Sequence, residues 1–170
     1  MLTSASKGLA TLAPHAGRWS KGEIMANTVA QKKAREWIVN HWMKKRFEMT
    51  FSRRNVLLSS GGSVKIDAVS EDGKTAAIIS TSKAETPGDK VGRGKLSKLR
   101  ADLYFLLLAT GVKRRIVVFT EKSMCALADN EKREGLIPDD VEIYQATITD
   151  KRLRDDLDIA RDGASNEMTL

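Results

Sequence analysis

Between the strand-like runs "TAAIISTSKA" (75–84) and "RRIVVFTE" (114–121) the chain carries one helical stretch, "KLSKLRADLYFLLLATG" (95–111). Leu96, Leu99, Leu103 and Leu106 or Leu107 recur there at helical spacing, and Gly111 follows as a C-terminal stop. A helical crossover of this length brings the following strand back parallel to the previous one, whereas a tight turn reverses direction. Upstream, "SVKIDAV" (63–69) sets Val64, Ile66 and Ala68 on one face and Lys65 and Asp67 on the other, and "SEDGK" (70–74) supplies a hairpin turn. The short apolar run "NVLLSS" ends at Gly61 and Gly62, which gives a third strand joined by a turn.

Further helices and strands complete the order. From Asn27 to about Phe47, Ala30, Ala34, Trp37, Ile38, His41 and Trp42 share a helical stripe, with Asn27 or Thr28 as the N-cap. "KSMCALADNEKREG" (122–135) reads as a helix, "VEIYQATI" (141–148) as a strand, and "DKRLRDDLDIARDG" (150–163) as a polar helix. Pro87, Gly88, Gly92 and Gly94 mark a loop before the crossover. Three hairpin-linked strands followed by parallel crossovers predict a mixed central sheet flanked by helices, a three-layer α-β-α sandwich.

The chain of 170 residues has room for one core. Residues 25–150 are expected to form it, with a polar helix and a frayed acidic tail over 151–170. Residues 1–24 have no acid before Glu23 and no clear period, so they read as a disordered leader. A mitochondrial presequence fits less well, because Arg18 is the sole arginine there. A start at Met25, which opens "MANTVAQKKAREW", fits better. One cysteine, Cys125, excludes an internal disulfide and a thiolate zinc cluster, and points to a reducing, cytoplasmic setting. No apolar run approaches the ~20 residues of a membrane span, so no membrane partner is expected. His41 reads as a hydrogen-bonded residue at the core edge, and neither it nor His15 is assigned to metal.

The net charge of +7 is unevenly placed. Lys32, Lys33, Arg35, Lys44, Lys45, Arg46, Arg53 and Arg54 face only Glu36 and Glu48 in the same stretch. A second basic run passes through Lys83, Lys90, Arg93, Lys95, Lys98 and Arg100, whereas the chain from Asp129 onward is acidic. Such a body suits a polyanion, because each neutralised phosphate releases condensed counterions. A solvated charged surface would have the same composition.

The element order, with Asp67 in "KIDAV" and Lys83 in "STSKA", resembles the PD-(D/E)xK nuclease superfamily, the restriction-endonuclease-like fold, over roughly residues 25–148. The resemblance implies a magnesium-dependent phosphodiester hydrolase: Asp67 would bind Mg2+, and Lys83 would orient water and stabilise phosphate charge. The family's second acid falls at Thr81, which offers only a neutral hydroxyl, although Ser80, Thr81 and Ser82 can hydrogen-bond a phosphate. Glu85 is the replacement candidate, as second metal ligand and catalytic acid; Glu36 points away from the apolar stripe and reads as a solvent residue. A short turn at "EDG" sets Asp67 opposite Ala77, whereas a longer turn or a bulge brings it towards Lys83, and the sequence leaves both open.

Lys44, Lys45, Arg53, Arg54, Lys95, Lys98 and Arg100 are the expected nucleic-acid contacts, and Arg100 with Tyr104 stands where related nucleases carry a Gln-xxx-Tyr pair. Trp37 and Trp42 belong to the core stripe, which leaves no stacking platform for single strands, so duplex or structured DNA is the expected partner. Two functions follow: a DNA-acting nuclease with Mg2+, or a nuclease-fold module that has lost catalysis and binds DNA or protein. A structural α/β protein without a nucleic-acid role is a third. The oligomeric state stays open, a dimer among the options.

Overall fold

The computed structural model describes residues 21–86 and 90–166, with side chains over 28–85 and 92–161. The chain runs α1 (Lys21–Trp37), a π-helical segment (Ile38–Met43), α2 (Lys44–Phe47), β1 (Phe51–Leu57), β2 (Ser63–Ser70) and β3 (Thr75–Ser80). It continues through β4 (Glu85–Thr86), β5 (Lys90–Val91), α3 (Arg93–Leu108), β6 (Arg114–Phe119), α4 (Lys122–Arg133), β7 (Val141–Gln145) and α5 (Lys151–Asn166). Residues 1–20 of the expected leader lie outside the described residues, and α1 starts at Lys21, ahead of Met25 and of the expected N-cap. Among the described residues no helix is long and apolar enough to cross a membrane.

Five strands form a mixed sheet in the order β1-β2-β3-β6-β7. β1–β2 and β2–β3 are antiparallel, and α3 and α4 return β6 and β7 parallel, as the crossover lengths require. The turn between β2 and β3 is the short one: Gly73 takes φ +71°, and Asp72 accepts hydrogen bonds from Ser70 Oγ (2.6 Å) and the Lys74 N–H (3.0 Å). Its register pairs Ala68 with Ala77 and Val69 with Ala76, so Asp67 falls opposite Ile78, one residue beyond the position expected from a short turn. A small β4–β5 hairpin occupies the expected loop.

Helices cover both faces of the sheet, and strand alternation divides the core between them except in β2, where the register irregularity opposite Ser52–Arg54 sends Ile66 and Ala68, expected on one face, to opposite sides. Val117 and Phe119 join Ile66, Val69 and Ala76 against α3 (Leu99, Leu103, Leu106) and α4 (Met124, Ala128). Ile116 and Val118 join Ala68, Ala77 and Ile79 against the first helix (Ala34, Ile38, Met43) and α5 (Leu153, Leu157). With both faces buried, β6 has no polar side to show, which is why it reads as a continuous apolar run. The polar helix after residue 150 is part of this body, since its Leu153 and Leu157 complete the second cluster.

The first helix departs from the expected stripe at its π-helical segment. An uninterrupted α-helix would follow Ala34 and Ile38 with Trp42, four residues on. The wider turn brings Met43 inward, fully buried, and Trp42 moves to a half-buried edge against Phe47 and Tyr144, with ring centroids 5.9 and 6.0 Å away. His41 is exposed, its Nδ1 3.2 Å from the Trp37 carbonyl and its ring stacked on the Trp37 indole at 5.1 Å. Glu48 ends the helix in the left-handed region at φ +55°.

At the start of β6, Arg114 lies over the Phe47 ring and holds Glu142 of β7 through two hydrogen bonds (2.6 and 2.8 Å), while the Tyr144 hydroxyl donates to Glu142 at 2.6 Å. The Arg114 hydrogen bonds hold the Glu142 carboxyl below its usual range, against a smaller opposing effect of burial. A folded value below the unfolded one contributes stability above the ordinary Glu value of ~4.3, and that contribution fades as pH falls through the folded value. Glu142→Gln should therefore lower the urea midpoint at neutral pH, and the gap from the native protein should close on acidification. A gap that stays constant from neutral pH into acid would contradict the assignment.

Candidate functional site: a basic furrow where two strands part

β3 is paired with β6 along its whole length, from Thr75 with Arg114 to Ser80 with Phe119, whereas its ladder with β2 stops at Ala68 and Ala77. Beyond that point β2 stays with β1, so the two strands separate. Asp67 stands at the fork. Its Oδ2 accepts the Ile79 N–H at 3.0 Å and so supplies the acceptor that a continuing ladder would have provided. Its Oδ1 lies 3.9 Å from Arg53 Nε, which the bulge between Ser52 and Arg54 places beside it.

Arg35 of α1 reaches the same fork. Its Nε is buried without a hydrogen-bond partner, and the side chain borders three adjoining cavities of about 150, 250 and 200 Å3. The smallest is walled by Ser80, Thr81 and Ser82 from the end of β3, and by Gly94, Lys95 and Lys98 from α3. The second adds Lys32, Glu36, Arg53 and Asp67, and the third combines Asp67 and Arg53 with Lys65, Lys98 and Asp102. Together they form a furrow with cationic walls. Arg35 stood in the sequence only as one base among many; the readable signal was its place three residues before buried Ile38, about 60° from the apolar stripe.

The other expected site residues divide into three groups. Thr81 is buried at 2% exposure, and its carbonyl accepts a 2.7 Å hydrogen bond from Arg161 Nε of α5. The same guanidinium meets Thr120 Oγ1 (2.7 Å), Asp158 (2.9 Å) and Glu121 (2.7 Å), which fixes the ends of β3 and β6 to α5. Burial holds the Glu121 carboxyl above its usual range despite Arg161. Lys83 and Glu85 lie past this clamp. Lys83 is five residues beyond the partner of Asp67, about 16 Å along an extended chain. It is half-buried, and its charge is felt at Glu85 and Lys95. The exposed Glu85 carboxyl is held below its usual range by its own backbone N–H first and by Ser123 next.

Among the basic candidates, Lys95 donates to the Glu85 carbonyl at 2.7 Å and Lys98 pairs with Asp102, both at the furrow. Arg100 turns the other way, into a two-bonded pair with Glu131 of α4 (2.9 and 3.0 Å), and exposed Tyr104 packs edge-on against Phe105. Arg54 buries Nε and Nη2 without partners. Exposed Lys44 and Lys45 lie on α2, nine and ten residues past Arg35, which is about 14 Å of helix. They flank the opposite end of the sheet, where Phe47 meets Arg114.

Magnesium does not fit this donor set. The ion needs near-octahedral oxygen coordination, usually with one or two carboxylates free to bind it. Asp67 has one oxygen committed to an N–H and a guanidinium beside the other. Glu36 and Asp102, the acids nearest along the furrow, are paired with Lys32 and Lys98. Among the described residues no group of three or more His, Cys, Asp or Glu side chains is placed to hold a metal ion. No family model, curated protein or solved structure matches the chain.

Asp67→Ala leaves the Ile79 N–H without its acceptor and should cost about 1–3 kcal/mol in urea unfolding, whereas Asp67→Asn keeps an acceptor oxygen and should cost less. Equal losses would show that the hydrogen bond is not what Asp67 contributes. Thr81→Glu places a carboxylate in a buried position, so it should lower Tm and leave Mg2+ affinity by calorimetry no greater than native. A gain in Mg2+ affinity without loss of Tm would reverse that conclusion.

Proposed function

We propose that this chain is a restriction-endonuclease-like module that binds DNA and does not cleave it. The observation that carries the reading is Arg35: a guanidinium with a buried, unpartnered Nε, at the fork of the sheet where the nuclease resemblance would call for a metal ion. An unsatisfied cationic donor in a furrow bordered by Arg53, Lys95 and Lys98 suits an anionic oxygen ligand. Lys44 and Lys45, one helix segment away, extend the same charge along the body towards a duplex backbone. Phosphate contacts of this kind position a protein on DNA and carry no sequence information directly.

Fluorescence anisotropy with a labelled duplex tests the binding. Affinity should fall steeply with salt, with a log–log slope near −0.9 per phosphate contact, and charge reversal at Lys44 and Lys45 should make the slope shallower. Salt-independent binding, or no binding at low salt, would defeat the reading. Plasmid incubated with Mg2+ or Mn2+ should remain intact. Cleavage that Asp67→Ala or Glu85→Ala abolishes would restore the metal-dependent nuclease with Lys83 at its centre.

A further inference from the structure

Resting on that DNA-binding reading, we propose that the cavity between the end of β3 and the start of α3 is a receptor for a phosphate monoester, with Arg35 in the place that a metal ion would take. Size is the first constraint. About 150 Å3 lies below the ~300–1,000 Å3 of pockets that enclose whole drug-sized ligands, and it holds roughly five waters at ~30 Å3 each. A phosphoryl group fits, and the nucleoside attached to it stays outside. Ile78, Ile79, Leu99 and Met124 supply the apolar part of the cavity's lining, which leaves the charged and hydroxyl groups to meet the ligand.

Charge is the second constraint. The walls carry Arg35, Lys95 and Lys98 against Asp102, and since Lys98 and Asp102 neutralise each other, Arg35 and Lys95 leave two positive charges. A phosphate monoester carries about −1.5 to −2 at pH 7, whereas a diester carries one charge, so the monoester is the closer match. Donors are available in the right number. Arg35 lines the cavity, Lys95 keeps two of its three protons after bonding the Glu85 carbonyl, and Ser80 and Ser82 bring hydroxyls to the wall. Burial, with Lys83 adding to it and Glu85 opposing it, already lowers the Lys95 ammonium below its usual range. An entering dianion would relieve that crowding.

The monoester could come from a nucleic-acid terminus or from free phosphate, and one set of measurements separates them. Blunt duplexes of one sequence with 5′-phosphate, 3′-phosphate or hydroxyl ends are compared by anisotropy, and inorganic phosphate alone is tested for its effect on Tm. A phosphorylated end should bind about tenfold more tightly than the hydroxyl end, the scale of one charge-assisted contact. Arg35→Gln should erase that ratio, while Lys44→Ala with Lys45→Ala weakens all three duplexes alike and preserves it. Should Arg35→Gln unfold, Lys95→Met with Lys98→Met tests the same ratio from α3. Equal affinity for all three ends, together with no protection by inorganic phosphate, overturns the proposal and leaves the DNA-binding reading intact. Arg35-dependent protection by inorganic phosphate without duplex binding keeps the receptor and removes the DNA reading.

Discussion

β3 is bound on one side by six residue pairs to β6 and on the other by only two to β2, and this inequality shapes the rest of the molecule. A strand that leaves its neighbour strips acceptors from the backbone it leaves behind, and buried N–H groups do not stay unpaired without cost. Asp67 meets that need at Ile79, so its carboxylate is part of the sheet's own hydrogen bonding. The same divergence opens the space into which Arg35, Lys95 and Lys98 project. Support of the fork and formation of the furrow are two results of one break in the ladder.

The end of β3 is held from the other side by Arg161, which gathers Thr81, Thr120, Glu121 and Asp158 around one guanidinium. A buried arginine needs such a set, because a charge taken out of water must be repaid by partners on every donor. The acidic character of the last helix is partly this: Asp158 serves Arg161 rather than a free tail. The furrow and the clamp meet at one residue, Thr81, which lines the furrow and whose carbonyl the clamp holds.

Much of the fold was legible because its signals are periodic. The leucines of α3 and the apolar run of β6 each repeat a geometric interval that the folded chain obeys, whereas the alternation of β2 holds for Val64 and Ile66 and breaks before Ala68. What the sequence concealed depends on distant partners or on a change of period. Nothing in "STSKA" marks Thr81 as buried, and the residue that holds its carbonyl is Arg161, far along the chain. The parting of β2 from β3 leaves no local trace, and Asp67 reads equally as ligand, surface acid or backbone acceptor. Arg35 looked like its basic neighbours, because an unpartnered Nε is a property of surroundings and not of residue type. The inward turn of Met43 in place of Trp42 escaped a count made at 3.6 residues per turn.

That last feature separates two parts of the first helix. Residues before Ile38 are phased by Ala34 on the sheet, and residues after Met43 are phased by the aromatic corner of Phe47 and Tyr144, with the π-helical turn absorbing the mismatch between them. A single π-helical turn, bonded i to i+5, holds one residue more than the α-helical turn it replaces. Loss of one residue within 38–43 would let the α repeat run through with Met43 four residues after Ile38, so Lys44 and Lys45 would keep their angle to Arg35 and move about 1.5 Å closer along the axis. The wide turn therefore holds the direction of the second basic group constant across a change of one residue in the length of the helix.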